Sequence, residues 1–122
     1  MKSEDKLKNA IIWIDKLFST DLLQASGQLG DKESGFCCLG LGCHILNIPY
    51  DIDKESNVEF MESVGLLNPV GESKNNDLES LVALNDDFFY SFKQIADHLT
   101  ANPEEYFESE VAEKISNNFN KK

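Results

Sequence analysis

The eleven residues from Phe36 to Leu46, FCCLGLGCHIL, restrict what this chain can fold into more than any other stretch. Nearly every position is apolar or Gly whichever helical face is chosen, and a helix that is apolar all round has to be buried. Gly40 and Gly42 each cost about 1 kcal/mol relative to Ala in a helix interior, so they belong where a neighbouring element presses closest. Ser34 stands in front of the segment as an N-cap, and Asn47 and Pro49 close it. The expectation is a central buried helix over about 36–46, with the other elements packed around it.

Those elements are mostly helical. Leu7, Ala10, Ile11, Ile14, Leu17 and Phe18 recur at three- and four-residue spacing, which predicts an amphipathic helix over 4–19 with Trp13 near the edge of its apolar face. Residues 22–35 hold two short extended pieces around a polar turn and predict a small hairpin. Val58, Phe60 and Met61 fit a short strand or a helical turn, Gly65 to Pro69 a turn, and Gly71 to Asn76 a solvated loop. Asp77 caps a helix over 78–84, and a second helix runs over 88–99 with Phe88, Phe89, Phe92, Ile95 and Leu99 on its apolar side. Asn102, Pro103, Glu104 and Glu105 combine a cap, a first-turn proline and acids at the positive helix end, opening a C-terminal helix over 103–119. The predicted fold is a mainly helical α+β arrangement, one domain over 1–122, with the 103–119 helix appended.

Charge sets the first functional limits. The net charge is −11, and all eleven basic residues are Lys. Phosphate neutralisation by basic groups drives nucleic-acid binding, so no direct nucleic-acid partner is expected. Without Arg the chain also lacks the bidentate fork that suits phosphate and carboxylate. The acid excess either serves solubility or occupies a basic partner. No apolar run reaches the roughly 20 residues of a membrane span, and the residues after Met1 do not resemble a secretory signal. A cytoplasmic, membrane-free protein is expected.

The cysteines invite three chemistries. Zinc wants four ligands converging as a tetrahedron, but on one helix Cys37 and Cys38 diverge by about 100°. Cys43 and His44 lie further along the same segment, so no metal and no other cofactor is assigned. A nucleophilic thiol needs a lowered pKa and an opening. Cys37 and Cys38 fall at the first turn of the predicted helix, with His98 as the candidate base, and this keeps a cysteine-dependent enzyme as the third reading. Otherwise the thiols are small interior hydrophobes. The acidic pairs Asp86-Asp87 and Glu104-Glu105 are adjacent rather than facing, unlike hydrolytic carboxylates. No phosphate loop, dinucleotide fingerprint, serine elbow or zincin motif occurs, and no catalytic residue is assigned.

A polar set remains: Gln24, Gln28, Asn85 and Asp86. In one reading Asn85 closes a helix and Asp86 or Asp87 caps the next. In the other, the Gln-bearing hairpin and the Asn-Asp turn border a cleft beside the cysteine helix and bind a small polar ligand such as a nucleobase. Likewise Phe107, Val111, Ile115 and Phe119 form a stripe that packs on the chain's own core or supplies a homodimer or partner interface.

Several of these residues fall in one pattern. Trp13, then Ser19, Gln24, Gly27 and Leu29, then CCLGLGC over 37–43, then Leu84-Asn85-Asp86 and the FKQIAD segment over 92–97 follow one another in order. The chain thereby resembles, over about residues 7–100, a family of small uncharacterised proteins carried by bacteriophages and prophages. That pattern reads sGkYxQxxGxL, CCLGVLC, Leu-Asn-Asp and sFxxIAdxI. Thr20, Leu22 and Gly42 depart from it, and the helix after Pro103 is an addition. The resemblance implies an accessory protein of a mobile element, a class in which counter-defence proteins are frequent, acting in the host cytoplasm. The expected function is non-enzymatic binding, by sequestering a small polar or nucleotide-like ligand or by blocking a basic host protein as an acidic inhibitor or nucleic-acid mimic.

Overall fold

A computed structural model of the chain describes residues 3–24, 30–31, 35–48, 54–74 and 78–119. Seven helices run through these residues: α1 (Ser3–Ser19), α2 (Cys38–Ile45), α3 (Lys54–Val64), α4 (Leu81–Asp86), α5 (Phe92–Ala101), α6 (Pro103–Tyr106) and α7 (Ser109–Phe119). Two two-residue strands, β1 (Gly30–Asp31) and β2 (Gly35–Phe36), pair antiparallel with Gly30 opposite Phe36. Gln24 adds a single parallel bridge to Phe36. The protein is mainly helical, and the sheet is a short clip in front of α2.

The cysteine helix is buried as its composition requires: every residue from Cys38 to Cys43 is inside. It starts later than expected, because Cys37 rather than Ser34 is the N-cap. The Cys37 thiol accepts from the Gly40 amide at 3.3 Å, as a serine hydroxyl does elsewhere; Ser34 lies outside the described residues. Its end is a Schellman closure around Asn47, whose φ is 58°. The Ile48 amide donates to Cys43 O at 2.9 Å and the Asn47 amide to His44 O at 3.4 Å.

α2 touches α1, α3, α4 and both strands, as a central helix does, and α1 shares that position, touching α2, α3, α5 and α7. Trp13 therefore sits at the centre of the core and not at the edge of a face, with 0 % exposure. Its indole N–H donates to Cys38 O at 3.0 Å. Its ring meets Phe60 edge-on at 4.8 Å and Phe107 at 6.2 Å. A large ring with one donor is tolerated at that depth because the donor is satisfied.

Four boundaries differ from the sequence reading, each for a local reason. Residues 54–64 form a full helix, stabilised by burial of Phe60 and Val64 one turn apart. α4 starts at Leu81 behind Ser80, whose hydroxyl accepts from Ala83 N. The backbone of Leu78 is already engaged, both ways, by the Ser73 hydroxyl; Asp77 lies outside the described residues. α5 starts at Phe92 because Ser91 and Gln94 form a capping box. The 103–119 segment is two helices. Phe107 is extended and bridges Leu66, Leu67 N donates to Tyr106 O, and Glu108 N donates to Gly65 O, so tertiary bonds replace helical ones there. Asn102 makes no cap bond into α6; its side-chain amide donates back to His98 O instead. The stripe on α7 faces inward, with Val111, Ala112 and Ile115 buried and Phe119 against Phe18.

Candidate functional site

The residues singled out from sequence converge at the junction of α2, α4 and α5. Asn85 lies in the last turn of α4 and is 1 % exposed. Its Oδ1 accepts from Gln24 Nε2 at 2.8 Å and from the Cys38 amide at 3.2 Å, and its Nδ2 donates to Asp86 Oδ1 at 2.8 Å. Gln24 reaches in from the segment ahead of β1. Its Nε2 also donates to Tyr90 O at 2.6 Å, and its Oε1 accepts from the Phe92 amide at 3.0 Å.

Those bonds have a definite mechanical meaning. Cys38 is the first residue of α2 and Phe92 the first of α5, so their amides are among the donors a helix start leaves without an internal partner. Asn85 satisfies one and Gln24 the other, and the two amides join to each other. Both N–H bonds of the Gln24 amide and both lone-pair directions of Asn85 Oδ1 are filled from within the chain. The pair is a two-amide cross-brace between two helix N-termini. Asp86 accepts from Asn85 and lies inside α4, and Ser91 caps the next helix, so neither Asp86 nor Asp87 is its cap. Gln28 lies outside the described residues.

For all three thiols burial outweighs the backbone hydrogen bonds that favour the thiolate, including the one from the Gly40 amide to Cys37. Burial pushes the Cys37 thiol above its ordinary value, the Cys38 thiol well above it, and the Cys43 thiol to about 12. The neighbouring carboxylates, Asp86 for Cys37 and Cys38 and Glu59 for Cys43, push the same way. A buried thiol held protonated is a weak nucleophile. Cys38 Sγ instead faces Leu81 O at 3.8 Å. The candidate base is engaged elsewhere: His98 Nε2 lies 2.6 Å from Tyr106 Oη, whose hydroxyl donates to Glu79 O at 2.6 Å. Since the phenol gives its proton to that carbonyl, His98 Nε2 is the donor in this pair. Burial lowers the His98 pKa, which favours the neutral ring. Among the described residues no group of three or more His, Cys, Asp or Glu is placed to hold a metal ion, and no helix is long and apolar enough to cross a membrane.

Two surface features lie outside this junction. An open groove of about 530 Å³ lies between the C-terminal ends of α1 and α2, lined by Lys16, Asp21, Leu41, His44 and Ile45 among others. Lys16 complements the negative end of α1, and the His44 ring, in the last turn of α2, stacks on Phe36 at 4.9 Å. The second is a set of exposed apolar side chains that the periodicity reading placed on a helix: Phe88 is 53 % and Phe89 76 % exposed, on the loop between α4 and α5. Phe89 has φ 54°. Leu22 and Leu23, just ahead of Gln24, are exposed as well. The signal that could have found them is the capping box Ser91-x-x-Gln94, which leaves the two phenylalanines ahead of the helix. No family model matches the chain, and neither curated proteins nor solved structures give a match.

Proposed function

We propose that this protein is a non-enzymatic binding protein that acts on a macromolecular partner, in the manner of a phage or mobile-element accessory protein, within the host cytoplasm. The observation that carries this reading is the use of the reactive and hydrogen-bonding groups inside the fold. Gln24 and Asn85 brace two helix starts, and the three thiols are buried. Surface acidity, a net −11 over the sequence, and the exposed apolar side chains of the described residues are free to meet a partner. Together they suit an inhibitor that blocks a basic host protein.

A second reading, sequestration of a small polar ligand, is favoured by the groove of about 530 Å³ that holds Lys16, Asp21 and His44 over Leu41 and Ile45. It moves the ligand away from Gln24 and Asn85. Native mass spectrometry of the protein purified from its host separates the two. A stoichiometric polypeptide complex that dissociates as salt is raised agrees with the first reading. A chain that carries only a small molecule, or nothing, contradicts it.

A further inference from the structure

We propose that Leu22, Leu23, Phe88 and Phe89 form one docking platform, and that its occupant is a basic amphipathic segment of a partner protein. The inference rests on the macromolecular-binding reading above and adds the place and the chemistry. Two chain segments far apart in sequence meet here because Gln24 Nε2 bonds Tyr90 O at 2.6 Å and Gln24 Oε1 accepts from Phe92 N at 3.0 Å. Leu23 is one residue before that tie on one segment and Phe89 one residue before it on the other.

The platform is costly to the isolated chain. Phe89 holds a left-handed backbone, φ 54°, which suits glycine and is unfavourable for a bulky side chain. Its ring nevertheless stands 76 % exposed, so no core contact of comparable size offsets that cost. Leu23 is 63 % and Phe88 53 % exposed. Aromatic and aliphatic side chains presented together in this way are the usual anchors of a protein interface.

Charge selects the occupant. Within four residues of either pair in sequence lie the exposed Asp21 and Asp87, and Asp86, which accepts from Asn85, against one cation, Lys93. An isologous contact with a second copy would set the same acidic rim against itself, between chains of net −11. A partner with Lys or Arg flanking an apolar stripe meets both the rim and the centre.

The probe is a synthetic peptide of about two heptads with leucines on one face and lysines on the other. Controls are the same peptide with Glu for Lys and the same peptide with Ala for Leu. Titrations by calorimetry use the full chain and the double variant Phe88→Ser, Phe89→Gly, which keeps every charge. The Leu/Lys peptide is expected to bind, to weaken about tenfold between low and moderate salt, and to weaken at least about tenfold in the double variant. Circular dichroism and the melting point should hold in that variant, since glycine accepts the left-handed backbone. Equal binding by the double variant overturns the platform while leaving the macromolecular reading standing. Equal binding of the Glu or the Ala peptide overturns the assigned chemistry. A dimer in sedimentation that the double variant abolishes makes a second copy the occupant and also overturns it.

Discussion

Gly42→Ala is the smallest change that probes the interior directly. A Cβ built at Gly42 lands 2.3 Å from both Cε1 and Cζ of Phe60 and 3.1 Å from Trp13 Cδ1. Carbon atoms in contact prefer about 3.5–4.0 Å, so the overlap with Phe60 exceeds about 1 Å. The ring cannot swing into solvent, because Phe60 is 1 % exposed and abuts the Trp13 ring at 4.8 Å. Overpacking of that kind costs about 3 kcal/mol at the upper end of its range. Alanine's helix propensity returns about 1 kcal/mol, leaving a net loss of about 2 kcal/mol. For a chain of this length that lowers the melting point by about 6–10 °C.

Urea and thermal unfolding followed by circular dichroism measure the loss. Combining the change with Phe60→Leu, which removes the clashing ring, should recover at least about 1 kcal/mol relative to the sum of the single changes. If Gly42→Ala is neutral or stabilising, helix propensity has won, and α2 and α3 do not meet at this glycine.

Further expectations concern the cross-brace and the buried titratable groups. Asn85→Ala strips an acceptor from Cys38 N and Gln24 Nε2 and should cost about 2–4 kcal/mol in urea unfolding; a loss under about 0.5 kcal/mol would show that the brace is not formed. On the alkaline side, burial raises Cys43 from 9.0 and Tyr106 from 10.0, each to about 12. The unfolded chain releases those protons first, so stability is full below about pH 9 and falls as pH rises toward 12; a urea midpoint flat across that window contradicts the burial. On the acid side, the His98 pKa is lowered from 6.5 by burial, so its contribution is present above pH 6.5 and lost as pH falls through the folded pKa. His98→Gln, which keeps a donor for Tyr106, should flatten the stability profile just below pH 6.5, and an unchanged profile refutes the assignment.

What was legible in the sequence follows the strength of each local signal. The amphipathic period of α1 and the all-round apolarity of 36–46 are large and redundant, and both elements came out within two or three residues. Gly42 marks a point of close approach because a helix interior disfavours glycine, and Phe60 is what approaches. Trp13 was misplaced because a helical wheel shows one face, whereas α1 is contacted by four helices.

Boundaries failed where tertiary bonds compete with helical ones. Phe107 continues a helical stripe in sequence, yet the backbone on either side of it is tied to Gly65 and Leu67, and nothing local announces that. The α5 start was legible in principle, since Ser91 and Gln94 spell a capping box that the run of phenylalanines obscured. The candidate site divides the same way. Gln24, Asn85 and Asp86 do come together, but their role depends on which amides they meet, and that partner list is long-range. Polar residues reserved for a ligand and polar residues that brace helix ends look alike in one dimension.

The central claim is that the cysteine helix is dry interior structure and that recognition lies on the outer surface. Iodoacetamide applied to the native protein at about pH 8, with modified sites read by mass spectrometry, tests it most directly. Cys37, Cys38 and Cys43 should react on the order of 100-fold more slowly than in the urea-unfolded chain, with modification following global unfolding as denaturant is raised. Rapid labelling of any of the three in the folded protein would contradict the account.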